Sequence, residues 1–132
     1  MNEVLFRGWH EDSKQWVFGY LFKNAGKNGN YYILNGALQI GDVPKNMFEV
    51  VPESVGMFSG LTDRKKARLF EGDIVIAKGK KSVGDYISVV IFDEGKFKLK
   101  RNDTYFVDSV SLKTSLRIGN VFENLELLEE NI

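Results

Sequence analysis

Apolar and aromatic residues in this chain come in short runs broken by Gly, Asn, Asp and Lys, and several runs alternate with polar residues at a period of two. Residues 4–7 form a first strand, closed by Gly8 and followed by a polar loop from His10 to Lys14. Residues 15–22 and 31–34 make an aromatic hairpin around 23–30, whose Gly and Asn residues accept positive φ. Strand alternation turns one of Tyr31 and Tyr32 outward. Asn35-Gly36 suits a tight turn into residues 37–40, Gly41, Asp42 and Pro44 end that piece, and 47–51 starts another.

From Val55 the pattern predicts a strand over 55–63, a basic loop over 64–68, and a second strand entered through Gly72-Asp73 and ending at Ala77. Residues 85–92 and 97–101 read as a hairpin across Asp93-Glu94-Gly95-Lys96, joined by a type I turn or a Gly bulge. In its second arm Lys96, Lys98 and Lys100 alternate with Phe97 and Leu99, which predicts one wet face bearing the ammonium groups. Residues 105–107 and 115–122 continue the strand pattern. At the end Asn124 is a good N-cap, Glu126 sits in the first turn, and Leu125, Leu127 and Leu128 give a short helix an apolar side with which to plug the β structure. The expected fold is all-β, with small barrel-like or coiled antiparallel sheets and a short C-terminal helix. No repeat or linker divides the chain, so residues 1–132 read as a single domain; the alternative splits it at Pro52-Glu53-Ser54 into a hairpin lobe, 1–52, and a barrel lobe, 55–132.

Composition agrees with one aromatic-rich core. Ten Phe, five Tyr and two Trp suit a pleated, half-buried surface, and a chain of 132 residues buries roughly 70% of its unfolded surface. The absence of Cys excludes disulfides, thiolate metal sites and cysteine nucleophiles. No leader-like or membrane-spanning apolar run occurs, so a cytoplasmic location without membrane contact is expected. The formal net charge is zero, but it is unevenly spread. Residues 1–63 carry 5 basic and 7 acidic groups, 64–101 carry 11 and 5, and 102–132 carry 2 and 6; the middle is thus +6 between flanks of −2 and −4.

Three blocks carry a resemblance. Phe6-Arg7-Gly8-Trp9, then Phe58-Ser59-Gly60-Leu61-Thr62-Asp63 continuing to Leu69-Phe70-Glu71-Gly72-Asp73-Ile74-Val75, then Ile118-Gly119-Asn120-Val121-Phe122-Glu123-Asn124 with Leu127-Leu128, resemble in that order the signatures of the YopX family. Together they span nearly the whole chain, and the middle block is the most specific. The resemblance implies a barrel-like all-β fold carried by phages and prophages, with no established enzymatic activity. It implies structural roles for Phe6, Arg7, Trp9, Gly60, Leu61, Asp63, Glu71, Gly72, Asp73, Gly119, Asn120 and Asn124. Two departures stand out. Lys66 and Ala67 replace the Gly and Lys usual in the loop after Asp63, which puts its tight turn in question because Lys adopts positive φ less readily than Gly. Leu125 stands where Pro is common.

Glu71 and Asp73, with Asp63, admit a reading as a carboxylate pair or divalent-metal site. The stronger reading is a turn admitting a strand, with Asp73 hydrogen-bonded to local amides. His10, the sole histidine, reads as a surface-loop residue. Phe6, Trp9 and Trp16 form either core or an exposed platform for bases or peptide. The basic set Arg64, Lys65, Lys66, Arg68, Lys78, Lys80, Lys81, Lys96, Lys98, Lys100 and Arg101 either makes a phosphate-attracting surface or keeps strand edges soluble. The functional expectation is a non-enzymatic phage accessory protein, without cofactor or metal, that binds a protein partner or itself as a homo-oligomer; the alternative is association with nucleic acid through residues 64–101.

Overall fold

The computed structural model describes residues 5–23, 29–36, 46–78, 84–101, 104–106 and 109–129. The strand expected over 37–40, most of the long hairpin tip, Lys80 and Lys81 lie outside them. Every strand pairing among the described residues is antiparallel, and the helices are short. The chain divides into two compact units, Met1–Met57 and Phe58–Ile132.

In the first unit β1 (Phe6–His10), β2 (Gln15–Lys23), β3 (Tyr31–Leu34) and β4 (Met47–Val50) pair in sequence order. Alternation places Val17, Ile33 and Val50 inside, with Phe6, Leu21, Tyr31, Phe48 and Val55 packed around them. The sheet coils until its outer strands meet: the Val51 N–H donates to Trp9 O at 2.9 Å, and His10 Nδ1 donates to Glu49 O at 2.8 Å. Trp9 N–H in turn donates to Oγ of Ser54, in the 3-10 turn Pro52–Ser54, at 2.7 Å. Glycine permits this curvature. Gly8 does not close the first strand, as its sequence context predicts, but lies within β1 opposite Val17. Its missing side chain admits Val50, whose Cβ lies 2.7 Å from where a Gly8 Cβ would stand.

β5 (Gly56–Thr62) starts in the first unit, where Gly56 and Met57 pair with β1, and in the second unit its residues from Phe58 onward pair with β6 (Arg68–Phe70). A five-stranded sheet follows in the order β10 (Thr104–Phe106), β9 (Lys96–Arg101), β8 (Tyr86–Asp93), β7 (Asp73–Ala77), β11 (Leu116–Asn120). Leu69, Val75, Ala77, Val90 and Leu99 form the core with Leu112 of α1 (Ser109–Thr114). The segment Ser-Val-Ser-Leu-Lys-Thr has little intrinsic helix preference, so the pattern does not predict α1. Burial of Leu112, which is 2% exposed, supplies what propensity lacks.

The β8–β9 hairpin forms where expected, but its turn is different. Glu94 and Gly95 have φ of 52° and 78° between the paired residues Asp93 and Lys96, a two-residue connection with both central residues left-handed. Such a turn follows the twist of the strands, which a type I turn opposes. The wet face expected of β9 is also broken. Lys98 is 8% exposed, opposite Ile91, with its ammonium 3.6 Å from Asp93 and 3.7 Å from Glu94. Its stem lies buried while its head reaches the turn carboxylates.

The coiling of the first unit generates a prediction. A Cβ on Gly19 would stand 2.1 Å from the Leu34 carbonyl oxygen, a backbone atom that cannot swing aside. Gly19→Ala is expected to cost about 2 kcal/mol or more in urea unfolding, and an unchanged midpoint contradicts this reading of the sheet.

Candidate binding surfaces

The signature carboxylates are built into the backbone. Asp63 is 3% exposed, and its Oδ1 accepts the N–H groups of Lys65 and Ala67, each at 2.9 Å. Its Oδ2 accepts the N–H of Arg117, at the start of β11, at 2.9 Å. Two further bonds close the loop: Asp63 N–H to Ala67 O at 2.8 Å, and Lys66 N–H to Asp63 O at 3.0 Å. Burial pushes the Asp63 carboxyl pKa upward, but the N–H groups of Arg117, Ala67 and Lys65, with the Arg117 charge, hold it below its ordinary value. The turn survives the replacement of Gly by Lys, because Lys66 takes φ 68° and keeps the left-handed geometry.

Asp73 is fully buried and accepts the Phe70 N–H at Oδ2, 2.7 Å, across the turn of Glu71 and Gly72. Gly72, at φ 93°, donates its N–H to Val90 O and accepts from Val121 N–H, both at 2.8 Å. A second knot follows β11. Asn120 Oδ1 accepts from Glu123 N–H at 2.8 Å, its Nδ2 donates to Glu123 Oε1 at 3.0 Å, and its own N–H donates to Asn124 Oδ1 at 3.1 Å. The Asn124 side chain thus reaches back to β11 instead of capping the helix ahead; only its carbonyl enters α2 (Glu126–Glu129), accepting from Leu127 N–H at 2.9 Å. This approach needs Gly119, where a Cβ would stand 2.6 Å from Asn124 Oδ1. Among the described residues no group of three or more His, Asp or Glu is arranged to hold a metal ion.

The predicted basic set is divided by the sheet. Lys96 and Lys98 lie at the β8–β9 turn, beside Asp93 and Glu94. Lys100 is half-buried within β9. Arg101 places its guanidinium 5.0 Å from the Tyr86 ring centroid, near the end of β7 from which the exposed Lys78 leaves. Arg64, Lys65, Lys66 and Arg68 are exposed on the Asp63 loop and β6. Lys113 and Arg117 join this group although the sequence reading omits them. Arg64 N–H donates to Ser115 O at 2.9 Å, and Arg117 Nη1 donates to Arg68 O at 3.3 Å. A separation of about 50 positions hides that neighbourhood, since only the fold brings these segments together.

In the first unit Phe6 lies on the core side, whereas Trp9 and Trp16 face outward, edge to face at 5.4 Å. The buried Arg7 sets its guanidinium 4.8 Å from the Trp16 centroid. The row continues along β2 with Phe18, Tyr20 and Phe22, exposed by 39%, 56% and 39%. Phe22 stacks on Tyr32 at 5.7 Å and 17°, so Tyr32 is the outward member of its pair and Tyr31 the inward one. The period-two aromatic spacing from Trp16 to Phe22 announces this stripe, of which the candidate platform Phe6, Trp9 and Trp16 includes one β2 residue, Trp16. At one end of the unit a cleft of about 230 Å³ is lined by His10, Glu11, Asp12, Glu49, Val50, Val51 and Pro52. Its Glu11 carboxyl is held below the usual range by hydrogen bonds from Lys14 and the Trp9 indole N–H.

Coiled antiparallel sheets, tied by side-chain-to-backbone knots at the second and third signature blocks, define an all-β protein of the class the sequence resembles. The chain belongs to the YopX protein family, whose family model matches residues 5–129. Two solved structures share the fold. Protein EF1440 from Enterococcus faecalis has a TM-score of 0.56 at 21% identity, covering 97% of this chain and 99% of that one. Protein yopX from Bacillus subtilis has a TM-score of 0.54 at 20% identity, covering 97% and 99%. At that identity the likeness is one of fold. None of the curated proteins compared matches the chain.

The Asp63 loop generates two predictions. Asp63→Asn sets a side-chain NH₂ against a backbone N–H and is expected to cost about 1–3 kcal/mol at neutral pH. The folded pKa of Asp63 lies below the unfolded one, so its contribution is full above the unfolded value of about 3.8 and fades as pH falls through the folded value. Urea melts from about pH 5 downward should therefore show wild type and variant converging once pH drops below about 4; a constant gap contradicts the assignment. Lys66→Gly removes a left-handed lysine and is expected to raise stability by about 1 kcal/mol, with a higher midpoint and an unchanged m value.

Proposed function

We propose that this YopX-family protein is a phage- or prophage-encoded accessory module that acts by binding rather than catalysis, in the cytoplasm of the host cell, and that it associates with a second copy of itself. The observation that carries this reading is the outward row Phe18, Tyr20 and Phe22 on β2, extended by Tyr32 and Leu34 of β3. A contiguous solvent-facing aromatic stripe of this kind is often an interaction site. Along β2 the outward positions from Phe18 to Phe22 bear no charge, so a two-fold contact can set this row against its own copy, with the buried Arg7 beside Phe18 and the exposed Glu49 beside Tyr32 at its flanks. Catalysis is disfavoured by the use of Asp63 and Asp73, whose carboxylates receive backbone amides. No described helix is long and apolar enough to cross a membrane.

The size of the stripe sets the strength. The exposed parts of Phe18, Tyr20 and Phe22 amount to about 300 Å² at roughly 200 Å² per aromatic side chain, well short of the ~800 Å² per partner of a standard interface. Association is therefore weak and concentration-dependent. Sedimentation velocity from about 10 µM to about 1 mM, a range spanning weak dissociation constants, should show the weight-average coefficient rising. Tyr20→Ser with Phe22→Ser should abolish that rise; loss of the Phe22–Tyr32 stack is expected to lower the melting midpoint, by about 1 kcal/mol or more in stability, while a cooperative transition shows that the fold is kept. A monomer at every concentration, or association that the double variant retains, overturns the proposal.

A further inference from the structure

The Asp63 loop and the junction of α1 with β11 form a cationic knuckle in which, among the described residues, one carboxylate, the buried Asp63, faces a single one of the cations, Arg117. Arg64, Lys65, Lys66, Arg68, Lys113 and Arg117 are all exposed, and the bonds from Arg64 N–H to Ser115 O and from Arg117 Nη1 to Arg68 O hold their segments together. The one carboxylate in the loop, Asp63, is buried with both oxygens on backbone amides. Among the described residues none of Arg64, Lys65, Lys66 and Lys113 enters an ion pair. At the β8–β9 turn of the same unit, by contrast, Lys98 is met by Asp93 and Glu94. Charges left without partners on a rigid loop hold mobile counterions that a polyanion can release.

We propose that this knuckle binds the phosphate backbone of nucleic acid without reading its sequence. Three of its six cations are guanidinium groups, whose planar fork matches phosphate oxygens. Loop residues 64–67 carry no large apolar side chain to enter a lipid headgroup layer, which separates the surface from a membrane-binding one. The backbone bonds of Asp63 fix the loop before any ligand arrives, so binding does not have to order it. The knuckle shares no residue with the aromatic stripe of the first unit, and the two proposals stand or fall separately.

The test is fluorescence anisotropy of the full chain with labelled mixed-sequence oligonucleotides, single-stranded and duplex. About four phosphate contacts predict a log–log salt slope near −3.6 on duplex, hence roughly a hundredfold loss of affinity between about 50 and 200 mM salt. Arg64→Ala with Lys65→Ala and Lys66→Ala should weaken binding at least tenfold, as should Lys113→Ala with Arg117→Ala, whereas Lys96→Ala should leave it unchanged. Melting curves of each variant report whether the fold is kept. Absence of binding at about 50 mM salt, affinity insensitive to both cluster variants, or tighter binding to phosphatidylserine vesicles than to oligonucleotides at equal phosphate overturns the proposal.

Discussion

One buried carboxylate organises the second unit. Asp63 gathers three backbone N–H groups from two segments far apart in sequence, its own loop and the start of β11. Each of those amides would otherwise need a partner in a place where water has limited access. Arg64 and Ser115, Arg117 and Arg68 then bond across the same junction, so the position of β11 beside β7 and the conformation of the basic loop share a single anchor. The Asp73 and Asn120 knots repeat the device at the opposite end of β7 and β11, where Asp73 pairs with Asn120. The second and third signature blocks thus supply side chains that stand in for missing backbone partners where strands end.

That arrangement leaves function to the surfaces. The carboxylates most suggestive of chemistry in the sequence are the ones most completely engaged in the fold, while the aromatic stripe of the first unit and the basic knuckle of the second remain turned to solvent. Each unit therefore presents a distinct kind of face, apolar on one and cationic on the other. Both are formed by side chains whose backbone is held elsewhere.

Much of the fold was legible from local signals. Period-two alternation located β2, β3, β8 and β9 within a residue or two, because each has one face in a core and one toward solvent. Failures arose where a distant contact overrode local preference. Gly8 resembles a strand terminator but is a strand residue because Val50 needs its space. Four of the six residues of 109–114 are weak helix formers, Ser109, Val110, Ser111 and Thr114, yet the segment is helical because Leu112 is buried. Asn124 has the makings of a cap, but Asn120 claims its side chain. The basic set makes one surface only if its loops and the Lys-bearing face of β9 share a side, but strand register sends Lys96 and Lys98 to one end of the sheet and Arg117, with Lys113 of the preceding α1, to the other; no local pattern encodes that exchange.

Through its bonds to three backbone N–H groups Asp63 holds the backbone of its loop and of β11 as one cooperative piece. Native-state amide hydrogen exchange reads this residue by residue. The N–H groups of Lys65, Ala67 and Arg117 should exchange only through large-scale unfolding, as slowly as those in the middle of β7. Exchange of those three amides at the rate of an unstructured surface loop would contradict it.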